Sequence, residues 1–306
     1  GWLADNREAR RALDTELILK NAKSVICLAR KYQRSEADES ADPPFAQSIA
    51  RYARGRDYHT GVRRKLRQLA SFVRRLANES GETATARPMC DDAPVLERAW
   101  AARAGLGFVG KNGLLIVPGH GSMVLLGEVV TTMELVPDSP IPERCGACTR
   151  CLDACPTSAF DAPFVLDARK CVSYLTIEHR APVPIELREG VGEHLFGCDD
   201  CQTVCPFNAS KHRPGGRTGL FEPHERWSST QVIDVLSLTD EQWNLFREGS
   251  PVGRATREGI ARNAAIVLGN RKERSALAAL EQVAKSHESE QVREAAVWAV
   301  GQIDSN

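Results

Sequence analysis

Eight of the ten cysteines in this 306-residue chain fall between positions 145 and 205, and their spacing sets the chemistry they can do. Cys145, Cys148, Cys151 and Cys155 follow C-x2-C-x2-C-x3-C with Pro156 directly after the last. Cys171 stands alone, and Cys198, Cys201 and Cys205 then give a second C-x2-C-x3-C run, again closed by a proline, Pro206. Zinc is content with two C-x2-C pairs in a tetrahedral site. It has no use for a third cysteine three residues on, nor for two Cys-Pro endings. Iron–sulfur chemistry uses all eight thiolates, four to each 4Fe-4S cluster.

In two-cluster ferredoxins the Cys-Pro cysteine of one run ligates the other run's cluster. The expected ligand sets are therefore Cys145, Cys148, Cys151 and Cys205 for one cluster, and Cys155, Cys171, Cys198 and Cys201 for the other. Cys27 and Cys90 are left over. Cys27 lies in the strand pattern "SVICLAR" (24–30) and reads as a small core residue.

The rest of the chain must position these thiols and use their electrons. At 42% hydrophobic residues it is globular, and 40 basic residues balance 40 acidic ones, so only local charge clusters can identify a partner. No apolar run is long enough to span a membrane, and the charged opening "GWLADNREARRALD" lacks the apolar stretch of a secretion signal, which predicts a cytoplasmic protein. Disulfides are rare in that reducing compartment. Gly1 in place of an initiator Met points to a chain that lacks some N-terminal residues.

Residues 1–135 mix strand and helix signals and read as an α/β domain. "TGVRRKLRQLASFVRRLAN" (60–78) sets Val62, Leu66, Leu69, Phe72, Val73 and Leu76 on one helical face, while "GLLIV" and "SMVLLGEVVT" read as strands. Residues 136–215 are cysteine- and proline-rich, a small domain organised by metal. Residues 216–306 begin with a linker and become helical from about Gly259; "AAIVLGN" (264–270) recurs as "AVWAVGQ" (296–302), which predicts two HEAT-like helical repeats. Gly105, Gly107 and Gly110 of "GLGFVGKNG" match G-x-G-x-x-G by letter, but strand-like residues follow where a dinucleotide fingerprint opens a helix.

Several long segments together resemble the epoxyqueuosine reductases: "RYARGRDYH" (51–59), "DDAPVLERAWAARAGLGFVGKNGLLI" (91–116), "GSMVLLGEVVT" (121–131), "CVSYLTIE" (171–178) beside the cysteine runs, and "RNAAIVLGN" (262–270). The resemblance implies an α/β cobalamin-binding domain like that of reductive dehalogenases, a double-cluster ferredoxin-like domain and C-terminal HEAT-like repeats. It implies removal of the epoxide oxygen from epoxyqueuosine at the wobble position of tRNA, leaving queuosine and water. Electrons would pass from an external flavodoxin- or ferredoxin-type donor, through the two 4Fe-4S clusters, to cobalamin cycling between its cob(II)alamin and cob(I)alamin forms. No side chain has such reducing power, so a cofactor must carry it.

The opening oxygen also needs a proton, and the family's acid falls on Asp91 of "CDDAPVLER", with Asp92 where Ser or Thr is common. In an extended segment neighbouring side chains point to opposite faces, so Asp91 is expected at the site and Asp92 is the second choice. The resemblance further implies cofactor contacts from Tyr58, His59, Asp91, Lys111, Asn112, Ser122, Ser173 and Asp199, with the glycine-rich backbone close to the corrinoid. A basic segment (Arg51, Arg54, Arg56, Arg63, Arg64, Lys65, Arg67, Arg74, Arg75) and a second group (Arg254, Arg257, Arg262, Arg271, Lys272, Arg274) are candidate phosphate contacts for tRNA, or solvated helix faces. The chain is expected to act as a monomer. Competing readings are a reductive dehalogenase for small organohalides and a plain two-cluster electron carrier; the first usually carries an export signal, and the second leaves most of the chain without a purpose.

Overall fold

The structure, a computed structural model, describes residues 14, 16–209 and 219–305. Nearly all of the charged opening segment, and positions 210–215 at the end of the cysteine-rich region, lie outside them. The described residues form two compact units, each assembled from separate stretches: those within 14–33, 58–148 and 205–209 in the first, and 34–57, 149–204 and 219–305 in the second.

Along the chain the first unit runs β1 (Ser24–Lys31), α1 (Tyr58–Glu79), β2 (Ala86–Met89), α2 (Glu97–Arg103), β3 (Phe108–Val109), β4 (Leu115–Ile116) and β5 (Val124–Thr131). β1, β5 and β2 make an antiparallel sheet in that order, with Glu128 of the central strand opposite Cys27 on one side and Met89 on the other. Directly opposed residues share a face. On that face Met89 and Val130 cluster with Trp100 of α2, and Cys27 packs with Ala101 of the same helix. The other face receives α1, where a Cβ on Gly127 would come within 2.8 Å of Leu66 Cδ1, so glycine is what lets the helix sit this close.

α1 buries Val62, Leu66, Ala70, Val73 and Ala77, a stripe shifted from the expected one. Phe72 and Leu76 are exposed, at 47% and 38%. Neighbouring helical residues differ by roughly 100°, so Phe72 cannot share the face of Val73, and the small Ala70 and Ala77 take the inner positions instead. The Arg75 guanidinium lies over the outward Phe72 ring, 5.4 Å from its centre.

The second unit contains α3 (Arg150–Asp153), the hairpin β6 (Phe160–Ala162) and β7 (Val165–Leu166), α4 (Val172–Ile177), α5 (Ile185–Val191), α6 (Asp200–Thr203), α7 (Asp240–Arg247), α8 (Arg257–Asn270), α9 (Leu277–Ser286) and α10 (Glu290–Asp304). The two copies of the repeated segment sit on α8 and α10, which pack on each other, and α9 packs on α10. α8 is buried without a break from Gly259 to Gly269, in one core with Phe45, Phe196 and Trp227.

Two polar residues inside that buried helix explain part of "RNAAIVLGN". Arg262 donates to the backbone carbonyls of Leu175 at 2.6 Å, Ala181 at 2.8 Å and His179 at 2.9 Å. Asn263 donates to those of Thr176 at 2.8 Å and Leu195 at 2.9 Å. These acceptors all lie between Cys171 and Cys198, so the helix holds the segment that joins these two cysteines. Asn263→Ala would leave two buried carbonyls without a donor and should lower stability by about 2 kcal/mol. Chemical denaturation reads this as a reduced midpoint, and an unchanged midpoint would refute the role.

Candidate functional site

In the first unit, Cys205 is buried and Cys145 half-buried in an apolar pocket with Phe108, Ile116, Ile141 and Phe207. Burial pushes the Cys145 thiol up to about 11. Lys111 reaches from the turn between β3 and β4 to donate to the carbonyls of Gly146 at 2.6 Å and Cys148 at 3.0 Å, fixing the loop of the first two cysteines. The glycines beside it serve the hairpin's own packing. A Cβ on Gly107 would lie 2.5 Å from the Ile116 carbonyl oxygen, and one on Gly110 would lie 2.6 Å from Ile116 Cδ1.

In the second unit, α3 and α6 are neighbours and carry Cys151 and Cys201. They repeat one backbone: φ and ψ are −122° and 5° at Thr149 against −115° and 8° at Asp199 before the helix, and −81° and −5° at Ala154 against −82° and −6° at Val204 after it. The same local fold thus presents both Cys-Pro runs. Burial pushes the Cys201 thiol up to about 12, and the nearby Cys171, Cys151 and Cys155 raise it further. Burial is also the main reason that Cys198 is raised. Thiols this close and this dry ionise only against a compensating cation, which iron supplies, so the donor set fits a cluster. Cys155 Sγ accepts from the Ala159 N–H at 3.3 Å, and His194 Nε2 lies 3.6 Å from Cys198 Sγ and 3.0 Å from Asp200 Oδ2.

Asp91 sits after β2 with φ at +54°, a left-handed turn rather than the extended segment expected. The turn separates the two acids in a different way. Asp91 is exposed, and its Oδ2 accepts from the Tyr58 hydroxyl at 2.5 Å. Asp92 folds back: its Oδ1 accepts from the Cys90 N–H at 2.8 Å, and its Oδ2 pairs with Arg63 at 3.2 Å. His59 stacks on Tyr58 with ring centres 4.2 Å apart.

Behind Asp91 lie two acids that sequence reasoning did not single out. Glu97 Oε1 accepts from the Asp91 N–H at 2.9 Å. Burial raises Glu97 to about 8, and Glu128 to about 9, and the neighbouring carboxylates add to both shifts. The available signal was a charged residue in the apolar strand "VLLGEVVT".

The other expected contacts are placed as follows. Asn112 is buried, and its Nδ2 has no acceptor among the described residues. An unmet buried donor costs about 1–3 kcal/mol, and the amide carbonyls of a corrinoid would satisfy it, so this residue fits cobalamin. Ser122 is buried against Asn208, its N–H donating to Oδ1 at 2.8 Å and its hydroxyl accepting from Nδ2 at 2.9 Å. In the second unit Ser173 is half-buried in α4, and Asp199 accepts from the Arg51 N–H at 2.7 Å.

Several of the basic residues turn out to be structural. Arg54 is buried against Asp42 at 2.8 Å, Arg51 pairs with Glu39 at 2.7 Å, and Arg74 donates to the Ala86 carbonyl. Among the later group, Arg254 pairs with Glu178, Arg257 with Asp240, and Arg271 with Glu193. Arg64, Lys65 and Arg67 are exposed side by side on α1.

Residues 12–92 match the family model described as epoxyqueuosine reductase QueG, DUF1730; residues 144–208 match a 4Fe-4S double cluster binding domain; residues 254–306 match HEAT repeats. An epoxyqueuosine reductase of Gloeobacter violaceus is 42% identical over 274 residues, covering 88% of this chain and 82% of the relative. The chain belongs to the epoxyqueuosine reductase family. A Pseudomonas aeruginosa epoxyqueuosine reductase is 42% identical over 258 residues, covering 84% of this chain and 70% of the relative. Among solved structures, an epoxyqueuosine reductase with an epoxyqueuosine-modified tRNA-Tyr stem loop superposes with a TM-score of 0.81 at 33% identity, over 93% of this chain and 74% of that one. The Bacillus subtilis epoxyqueuosine reductase, solved with an aspartate catalytic loop swung out of the active site, superposes with a TM-score of 0.81 at 31% identity, over 99% of this chain and 82% of that one.

Membership in the epoxyqueuosine reductase family makes the chain an oxidoreductase with a double 4Fe-4S domain and a HEAT-repeat tail. No described helix is long and apolar enough to cross a membrane. The raised Glu128 gives a pH prediction. The folded state keeps a proton up to about pH 9 that the unfolded chain releases near 4.5. Its stabilising contribution is therefore complete below the unfolded value and is lost as pH rises towards 9, at up to about 1.4 kcal/mol per pH unit. Glu128→Gln should flatten the alkaline fall in denaturation midpoint; parallel pH curves for the two proteins would contradict this.

Proposed function

We propose that this chain reduces epoxyqueuosine to queuosine at the wobble position of tRNA, with Asp91 as the acid that protonates the departing oxygen. The observation that carries this reading is the Asp91 turn: an exposed carboxyl, held by Tyr58, in a chain of this family with eight cluster-spaced thiols. Cobalamin, when bound, supplies the strongly reducing centre that opens the epoxide carbon–oxygen bond. Around it, Asn112 would donate to an amide of the corrinoid, Lys111 would keep the adjoining cysteine loop in place, and Tyr58 and His59 would line the pocket. Ser122, Ser173 and Asp199 complete the proposed contacts.

Cys145, Cys148, Cys151 and Cys205 hold one cluster in this reading, and Cys155, Cys171, Cys198 and Cys201 the other. A flavodoxin- or ferredoxin-type donor loads them. Residues 1–135 act as the cobalamin domain, 136–215 as the double-cluster domain and 216–306 as linker and repeats, in a cytoplasmic monomer.

Asp91 is suited to its task by backbone as well as charge. Asn and Asp tolerate the left-handed region better than other non-glycine residues, so Asp91→Asn keeps the turn while removing the proton. Cobalamin and iron content should stay at wild-type levels, and conversion of epoxyqueuosine tRNA, read by nucleoside mass spectrometry, should slow by about 10²- to 10⁴-fold. Wild-type turnover in that variant would move the acid role away from Asp91. For the nucleic acid, replacing Arg64, Lys65 and Arg67 together with Ala should weaken stem-loop binding and lower the slope of log affinity against log salt by about 2. An unchanged slope would remove this helix face from the interface.

A further inference from the structure

Deoxygenating an epoxide consumes two protons as well as two electrons, and Asp91 holds one transferable proton at a time. A substrate protonated by Asp91 covers the outward side of that carboxyl, so the next proton is best supplied from its inner side. There the structure has a file of acids. The Glu97 carboxyl accepts from the Asp91 N–H at 2.9 Å and is within hydrogen-bonding reach of the Asp91 side chain. The Glu128 carboxyl is within hydrogen-bonding reach of the Glu97 side chain. Carboxylate oxygens only accept, so each of these contacts becomes a hydrogen bond when one partner carries a proton.

Glu128 is fully buried at the centre of the sheet, and neither of its oxygens receives a hydrogen bond from a donor among the described residues. The groups around the file are Cys27 from β1, Cys90 at the end of β2, Asp91 and Asp92 from the turn, and Tyr58 and Arg63 from α1. Arg63 is engaged with Asp92. Burial pushes the Cys27 thiol up to about 12, and Cys90 is likewise raised, so both stay neutral and leave the carboxyls as the exchangeable acids.

We propose that the half-buried Glu97 and the fully buried Glu128 form a carboxylic-acid relay that returns a proton to Asp91 within the catalytic cycle, an inference that rests on the proposed reduction of epoxyqueuosine. Asp91 gives its proton to the opening epoxide oxygen and becomes a carboxylate. The Glu97 acid protonates Asp91, the Glu128 acid protonates Glu97, and Asp91 gives the second proton, so that the oxygen departs as water. The two electrons come from the external donor through the clusters. After product leaves, solvent refills the file through the exposed Asp91. Glu97 and Glu128 act through Asp91 and so are positioning residues rather than catalytic ones.

The test compares wild type with Glu97→Gln, Glu128→Gln and the conservative Glu97→Asp. Infrared difference spectroscopy of the cofactor-free protein reads the proton directly: wild type at neutral pH should show a deuterium-sensitive protonated-carboxyl band that weakens in both Gln variants. With cofactors and epoxyqueuosine tRNA, both Gln variants should keep KM and lose at least about 10-fold in kcat. Wild-type kcat should fall on the alkaline side as the relay ionises, Glu97→Gln should lose that limb, and Glu97→Asp should restore it in part. A missing infrared band, or Gln variants with wild-type kcat and pH profile beside an active wild type, would overturn the relay alone. A wild type that fails to convert the tRNA would overturn the functional reading itself, and the relay with it.

Discussion

A buried cation organises much of the second unit. Arg262 is 1% exposed, and its guanidinium is satisfied by the carbonyls of Leu175, His179 and Ala181 and by the side chains of Gln291 and Asn263. Burial lowers its pKa to about 10, which leaves it charged at neutral pH. A charge taken out of water is tolerable only with this many acceptors, so the loop must fold around it, and the helix of the second unit that carries it must be buried on all sides. The helix that follows Cys171 is only six residues long, and the carbonyls of its last turn and of the loop after it need donors from elsewhere. Arg262 and Asn263 provide them, linking the helical repeats to the cysteines.

The first unit works under a related constraint, with the opposite charge. Its central strand places Glu128 in an apolar layer, and Glu97 and Asp91 lie beyond it towards the surface. Once ionised, such a residue costs the sheet stability. Glu97 and Glu128 are raised by desolvation and by the neighbouring carboxylates, the environment in which acids hold protons at neutral pH. The left-handed Asp91 turn then marks where the buried file meets the surface.

The cysteine runs were legible because metal ligation depends on spacing, which a sequence displays directly. The strands β1, β4 and β5 and the repeated helical segment were legible from apolar patterning. The nearness of Glu97 to Glu128 was not, because the two are 31 positions apart and meet only through the packing of α2 on β5. Charge counting failed in the same way for Arg51, Arg54 and Arg262: side chains counted as basic surface proved to be internal donors, since whether an arginine faces carbonyls or water is decided by tertiary packing. Asp91 and Asp92 are separated as expected of neighbours with different roles, but by a left-handed turn rather than by strand alternation.

The central claim is that electrons entering through the cysteine clusters end in one carbon–oxygen bond of a tRNA base. Its most direct measurement is an anaerobic titration of the cobalamin-loaded protein and epoxyqueuosine tRNA with a counted amount of reductant, followed by nucleoside analysis. The account predicts about one queuosine formed for every two electrons consumed, from protein holding about eight iron atoms per chain. Fully reduced clusters beside an undiminished epoxyqueuosine pool would contradict it.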